Sequence, residues 1–152
     1  MSKPERETAI QHGTQNFNFS IHNHYTGGPN LSFNNHWHPE YEIIYVKYGS
    51  PRFEIEGKSY HPTENQALIV DRYQLHSWTG VKSSTFYFSS IVFGNFFLFP
   101  DSHSQIYTKY IHPHQKEIRL QTVILGTTPW EKDVLNILQN VCQVANEQKY
   151  GF

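Results

Sequence analysis

Cysteine, methionine and formal charge are all scarce in this sequence. It holds one cysteine, Cys142, so an intrachain disulfide and a cysteine-built zinc site are both excluded. A lone thiol fits a reducing compartment. Charged residues make up 16% of 152, with 12 Lys plus Arg against 13 Asp plus Glu, and the net charge is −1. No basic cluster forms a stripe for phosphates, so nucleic-acid binding by this segment itself is not expected. Long hydrophobic runs are missing. The longest, Phe96-Phe97-Leu98-Phe99, falls far short of the ~18 residues a membrane span needs. Residues Met1 to Glu7 carry both charge signs and lead into no apolar stretch, so they do not read as a signal peptide. The expectation is a soluble, cytoplasmic chain with no membrane partner. Its length suits one domain, since ~100–200 residues fill a single core.

What is abundant is aromatic: 11 Phe, 10 Tyr and 3 Trp, with 10 His beside them. Disordered chains are poor in aromatics, so a folded core is expected. Residues 1–16 are polar and aperiodic and read as a flexible arm. From 17 to 126 short alternating or apolar runs are divided by turn residues. Phe17-Asn18-Phe19-Ser20-Ile21 alternates, Ile43-Ile44-Tyr45-Val46 is β-branched and aromatic, and Phe53-Glu54-Ile55 leads through a Glu56-Gly57-Lys58 turn to Tyr60. Ala67-Leu68-Ile69-Val70 and the stretch from Ser84 to Phe93 complete the set. Short strands at spacings near ten residues indicate a sandwich or barrel.

Residues 127–152 have a different character. Thr128, Pro129 and Glu131 form a capping box with proline at the first helical position. Val134, Leu138, Val141 and Ala145 then recur at helical steps, flanked by Leu135 and Cys142. A helix to about Lys149 is expected, with Gly151 as its C′ residue. The narrow stripe of Val134, Leu138, Val141 and Ala145 suits a seam with a second copy, while Trp130, Leu135 and Cys142 rest on the body.

The most specific string is His36-Trp37-His38-Pro39-Glu40-Tyr41-Glu42, followed after six residues by Gly49. Histidines at i and i+2 share one face of a strand, and Glu42 has the same parity. Imidazoles and a carboxylate suit Zn, Ni, Mn or Fe, with His76 as a fourth ligand. Without a metal, the same four side chains make a hydrogen-bonded polar lining for a small-molecule pocket. His22/His24 and His112/His114 repeat the histidine spacing, but neither pair is followed by a matching Glu and Gly. Trp37 and Trp78 offer indole faces for a sugar or, equally, ordinary packing. Arg52 and Arg72 read as solvated surface charge rather than anion ligands.

The HxH-x3-E-x6-G string resembles the first motif of the cupin superfamily. The second motif matches through His76, while Asn65, Asp71, Tyr73 and Gly80 replace its Gly, Pro, Gly and Asn. Asn65 tolerates the left-handed backbone that the glycine would supply. With Gly57-Lys58-Ser59-Tyr60, Leu68-Ile69-Val70 and His76-Ser77-Trp78, residues 17–150 resemble the amino-terminal effector-binding domain of AraC-type bacterial transcription regulators.

That resemblance implies an all-β cupin (double-stranded β-helix, jelly-roll) barrel with a carboxyl-terminal α-helix. It implies a small-molecule effector, often a sugar, bound by a non-enzymatic domain that forms a homodimer through the helix. DNA would be bound only through a carboxyl-terminal helix-turn-helix half absent from this chain. The alternative is a metal-dependent cupin enzyme, an isomerase or dioxygenase, which needs an intact metal site and an acid or base within reach.

Overall fold

The computed structural model describes residues 5–6, 18–28, 31–81, 84–94, 103–113 and 120–147. Ten strands lie in it: β1 Glu5–Arg6, β2 Phe19–Tyr25, β3 Ser32–Trp37, β4 Tyr41–Tyr48, β5 Arg52–Ile55, β6 Lys58–Tyr60, β7 Gln66–Val70, β8 His76–Thr79, β9 Tyr87–Phe93 and β10 Val123–Ile124. The helix α1 covers Pro129–Asn146. The strands form two five-stranded sheets, ordered β1-β3-β8-β5-β6 and β10-β7-β4-β9-β2. Every pairing is antiparallel except β1 with β3, where Glu5 and Arg6 lie opposite His36 and Trp37. The expected arm thus contributes a short edge strand.

A single closed barrel is not what these ladders show. Among the described residues the strands pair into two separate sheets, a sandwich, because from β2 to β9 the chain keeps crossing from one sheet to the other. That winding puts the inner faces of both sheets around one interior. In the first sheet, His36, His76 and Ile55 make one inner row, and Phe33, Trp78 and Phe53 the next. In the second, Glu42 shares a row with Val70, Val92 and Ser20, and Ile44 with Leu68, Ser90 and His22. Val46, Phe88 and His24 follow. The interior core packs Ile44, Val46, Phe53, Ile55, Leu68, Val70, Trp78, Phe86 and Phe88.

The turns follow local chemistry. Glu56 and Gly57 have φ of 50° and 74°, the paired positive values of a type I′ hairpin. Gly49 closes the histidine motif at φ 78°, and a Cβ there would lie 2.2 Å from the Thr85 carbonyl oxygen. Only glycine fits that position.

The outer face of the second sheet is covered by α1. Leu135, Leu138 and Cys142 are buried against Tyr45, Ala67, Ile91 and Ile124. The capping box forms as expected: the Thr128 hydroxyl accepts from the Glu131 amide and Glu131 accepts from the Thr128 amide at 2.9 Å. Glu131 also accepts from the Thr127 amide and hydroxyl and from the Leu125 amide, so it ties the exit of β10 to the helix. Gly151 lies outside the described residues. A second helical segment, π-helical over Tyr107–Ile111, departs from the all-β expectation for the body. His112 and Pro113 continue it as exposed residues, and His114 lies outside the described residues.

Candidate functional site

Three elements bring the four motif residues together. His36 lies near the end of β3, His38 follows it, Glu42 opens β4, and His76 opens β8 opposite His36. The β3 register shifts between Phe33 and His36. Such a bulge re-aims side chains, and here it turns both Phe33 and His36 inward although they are three residues apart. All four residues are buried, and one ligand atom from each lies within 4.8 Å of every other. Glu42 Oε2 stands 3.2 Å from His38 Nε2 and 3.1 Å from His76 Nε2. Burial pushes the Glu42 carboxyl up, but the hydrogen bonds and charge of His38 and His76 outweigh it and hold the group well below the carboxylate range.

The outer nitrogens are also engaged. His36 Nδ1 contacts the Asn34 carbonyl and His76 Nδ1 the Gln74 carbonyl, each at 2.8 Å. His38 Nδ1 lies 3.5 Å from Glu40. Both nitrogens of His76 therefore face groups that only accept hydrogen bonds. With Nδ1–H donating to the Gln74 carbonyl, His76 Nε2 keeps its lone pair towards the cluster, the tautomer a metal ligand needs. Three imidazoles and one carboxylate in this arrangement fit a divalent transition metal.

A loop braces the cluster from outside. The Tyr73 amide donates to the His38 carbonyl at 2.9 Å, and Arg72 Nε donates to the Pro39 carbonyl at 2.8 Å. Tyr73 has φ 63° and Asn65 φ 57°. Both stand where the second cupin motif has glycine, so its left-handed backbone persists without its residues. Trp37 points the other way from His36 and stands 6.0 Å from the Tyr73 ring; it does not line the interior cavity. Trp78 does, with its ring edge-on to Phe88 and His24. Arg52 pairs with Glu54 at the surface.

The cavity lies between the sheets and has a volume of about 190 Å³. His36, Glu42 and His76 form one part of its wall, and Phe33, Ile44, Phe53 and Ile55 supply apolar surface. His22, His24 and Ser90 also line it, and no functional reading of the sequence assigned them a place there. The signal was present in the alternation Ser20-His22-His24, which gives all three the same face of β2. Of the proposed seam, Leu138 is 6% exposed and packs into the sheet, while Val134, Val141 and Ala145 are half-buried. Trp130 and Ile137 are 50% and 60% exposed.

A β-sandwich enclosing a cavity with a buried histidine–carboxylate cluster defines a small-molecule-binding domain of the cupin kind. The chain belongs to the AraC-like ligand binding domain family, whose model matches residues 10–147. No curated protein matches the sequence significantly. Similar solved structures include a conserved protein of unknown function from Streptococcus pyogenes, at 15% identity and TM-score 0.44, covering 54% of this chain and 68% of that one. They include a predicted oxalate decarboxylase from Thermotoga maritima, at 22% and 0.41, covering 49% and 64%. The DMSP lyase DddQ from Ruegeria pomeroyi matches at 17% and 0.45, covering 53% and 40%. This chain spans less than two thirds of the length of the latter two. No helix among the described residues is long and apolar enough to cross a membrane.

Proposed function

We propose that this chain is the ligand-sensing and dimerising domain of an AraC-type transcription regulator. A small molecule, with a sugar as the class the family resemblance favours, occupies the interior cavity and biases a helix-turn-helix half outside this chain. The observation that carries the reading is a cavity between the sheets, part of whose wall is His36, Glu42 and His76 of the buried four-residue cluster. His36, His38, Glu42 and His76 would hold a divalent transition metal, Zn, Ni, Mn or Fe, which when bound would supply a Lewis-acidic anchor for a ligand oxygen. The protein's own residues orient it: Asn34 and Gln74 fix the His36 and His76 tautomers through their carbonyls. Elemental analysis of protein purified without chelator or a nickel column tests this. Near-stoichiometric metal supports the reading, and metal-free protein that takes up none on addition refutes the ion.

The homodimer forms through α1. Because Leu138 is turned into the sheet, the seam runs over the exposed Trp130 and Ile137, with Val134 and Val141 half-buried along its edge and Ala145 beyond. Ile137→Glu should convert dimer to monomer in light scattering without unfolding; a wild-type monomer at high concentration removes the proposal.

One observation favours a second reading, a metal-dependent cupin isomerase or dioxygenase. The four ligands converge even though the second motif is degraded. The full open reading frame separates the two, since about 100 further residues (a domain's usual span) carrying two helix-turn-helix patterns mark a regulator.

A further inference from the structure

The three imidazoles of the cluster are backed by different chemistry. His36 Nδ1 contacts the Asn34 carbonyl and His76 Nδ1 the Gln74 carbonyl, each two residues earlier in the chain. Backbone oxygens set those two rings, and no substitution removes a backbone oxygen. His38 differs: its Nδ1 faces the Glu40 carboxylate at 3.5 Å, within ion-pair range. The bend between β3 and β4 accounts for the exchange. There the His38 carbonyl accepts from the Tyr73 amide and the Pro39 carbonyl from Arg72 Nε, so a side chain and not the main chain stands behind the ring. His38 is also set back from the cavity, whose wall includes His36, Glu42 and His76. It closes the cluster on the side where the Glu40 side chain, 16% exposed, reaches the surface.

Two consequences follow for a bound ion. The first is orientation. An imidazole ligates through one nitrogen only when the other carries the proton, and the group that accepts that proton's hydrogen bond fixes the tautomer and the ring plane. His38 Nε2 already faces the cluster, 3.2 Å from Glu42 Oε2, so a proton held on Nδ1 by Glu40 leaves the lone pair on the correct side. The second is charge. The four ligands include one carboxylate, Glu42. A divalent ion held by it and by neutral imidazoles keeps a surplus positive charge, and an uncompensated buried charge is costly. Glu40 brings a second carboxylate to within one ring of the site without taking a coordination position. A carboxylate behind a ligating imidazole also raises the basicity of the ligating nitrogen.

We propose that Glu40 is a positioning residue for the metal: it holds the His38 ring as the Nδ1–H tautomer and supplies the second negative charge that balances a buried divalent ion. This rests on the ion inferred above, not on the identity of any effector. The test loads the whole metal-stripped chain with cobalt(II), whose unpaired electrons move the N–H protons of ligating imidazoles far from the rest of the proton NMR spectrum. Wild type should show three such exchangeable signals, one per imidazole. Glu40→Ala should lose one of them to exchange with water and keep the two backed by carbonyls. Its cobalt affinity, measured against a chelating dye, should fall ~10–100-fold. Glu40→Gln, whose amide oxygen still accepts a hydrogen bond but carries no charge, should keep the third signal and bind with intermediate affinity. Three unchanged signals and wild-type affinity in Glu40→Ala overturn the role of Glu40 while leaving the ion in place. Wild-type protein that takes up no cobalt refutes the ion and this role together. Should Glu40→Ala misfold, Glu40→Gln decides, and wild-type affinity in it overturns the proposal.

Discussion

The second sheet presents two faces of opposite character. Its outer face, against α1, is closed: Tyr45, Ala67, Ile91 and Ile124 meet Leu135, Leu138 and Cys142. The one buried carboxylate there, Glu131, accepts hydrogen bonds from the Thr127, Thr128 and Leu125 amides. Its inner face alternates Ile44, Val46 and Phe88 with Glu42, His22, His24 and Ser90 around a cavity. One set of strands thus carries a satisfied face and an open one. Stability belongs to the first, because tightly packed apolar groups leave little to gain from any guest. Recognition belongs to the second, where polar groups wait for one.

Five substitutions would break or sharpen that contrast. The largest effect is expected at Leu138. Leu138→Asp buries an unpaired carboxylate in the closed face and should abolish cooperative unfolding, whereas Leu135→Ala should cost about 2–5 kcal/mol in urea titrations, as core truncations do. A folded Leu138→Asp monomer would return that residue to a subunit seam. Next, His76→Ala on the open face should remove bound metal in elemental analysis while leaving far-UV dichroism unchanged. Loss of the fold instead would make the cluster a structural element rather than a site. A smaller change is expected at Arg72, which touches the cluster only through the Pro39 carbonyl. Residues that orient metal ligands typically alter affinity ~10–100-fold, and Arg72→Ala should weaken metal binding within that range, measured by competition with a chelating dye. Equal affinity would make the Arg72–Tyr73 loop a bystander.

The smallest effect is confined to acid. Hydrogen bonds from the Thr127 hydroxyl, the Thr128 backbone and the Leu125 backbone, against the opposing pull of burial, lower the Glu131 pKa from 4.5 to about 2. A carboxyl lowered on folding adds stability that is fully present above pH 4.5 and is lost as pH falls towards about 2. Glu131→Gln should flatten stability across that window and leave it parallel to wild type at neutral pH. Unchanged acid sensitivity would place the linkage on other groups.

The same contrast explains what was legible in the sequence. Motif spacing located the cluster because ligand geometry needs fixed residue types at fixed steps: His36, His38, Glu42 and His76 converge. The capping box likewise found the start of α1, since Thr128 and Glu131 interact locally. The choice between sandwich and barrel was not legible. β4 reads Tyr41-Glu42-Ile43-Ile44-Tyr45-Val46 without clean alternation, because it is covered on both faces, and alternation marks only half-buried strands. Periodicity also misassigned Leu138, since a helical stripe says which residues share a face and not what that face meets. His22 and His24 were passed over for want of a following Glu and Gly. Their shared inward face depends on β2 pairing with β9, a contact some 66 positions away in the chain between Asn23 and Ser89.

That strand has one further property. Between His22 and His24, which turn inward, Asn23 turns outward. It accepts from Ser89 at 2.6 Å and donates to Asn146, in the last turn of α1, at 3.0 Å. β2 is the outermost strand of its sheet, hydrogen-bonded to β9 alone among the described strands, and an outermost strand is restrained from one side only. Displacing it by a fraction of an ångström at the histidines displaces Asn23 with them, since the three share two peptide planes. Filling the interior and seating the end of the helix are therefore two readings of one strand's position.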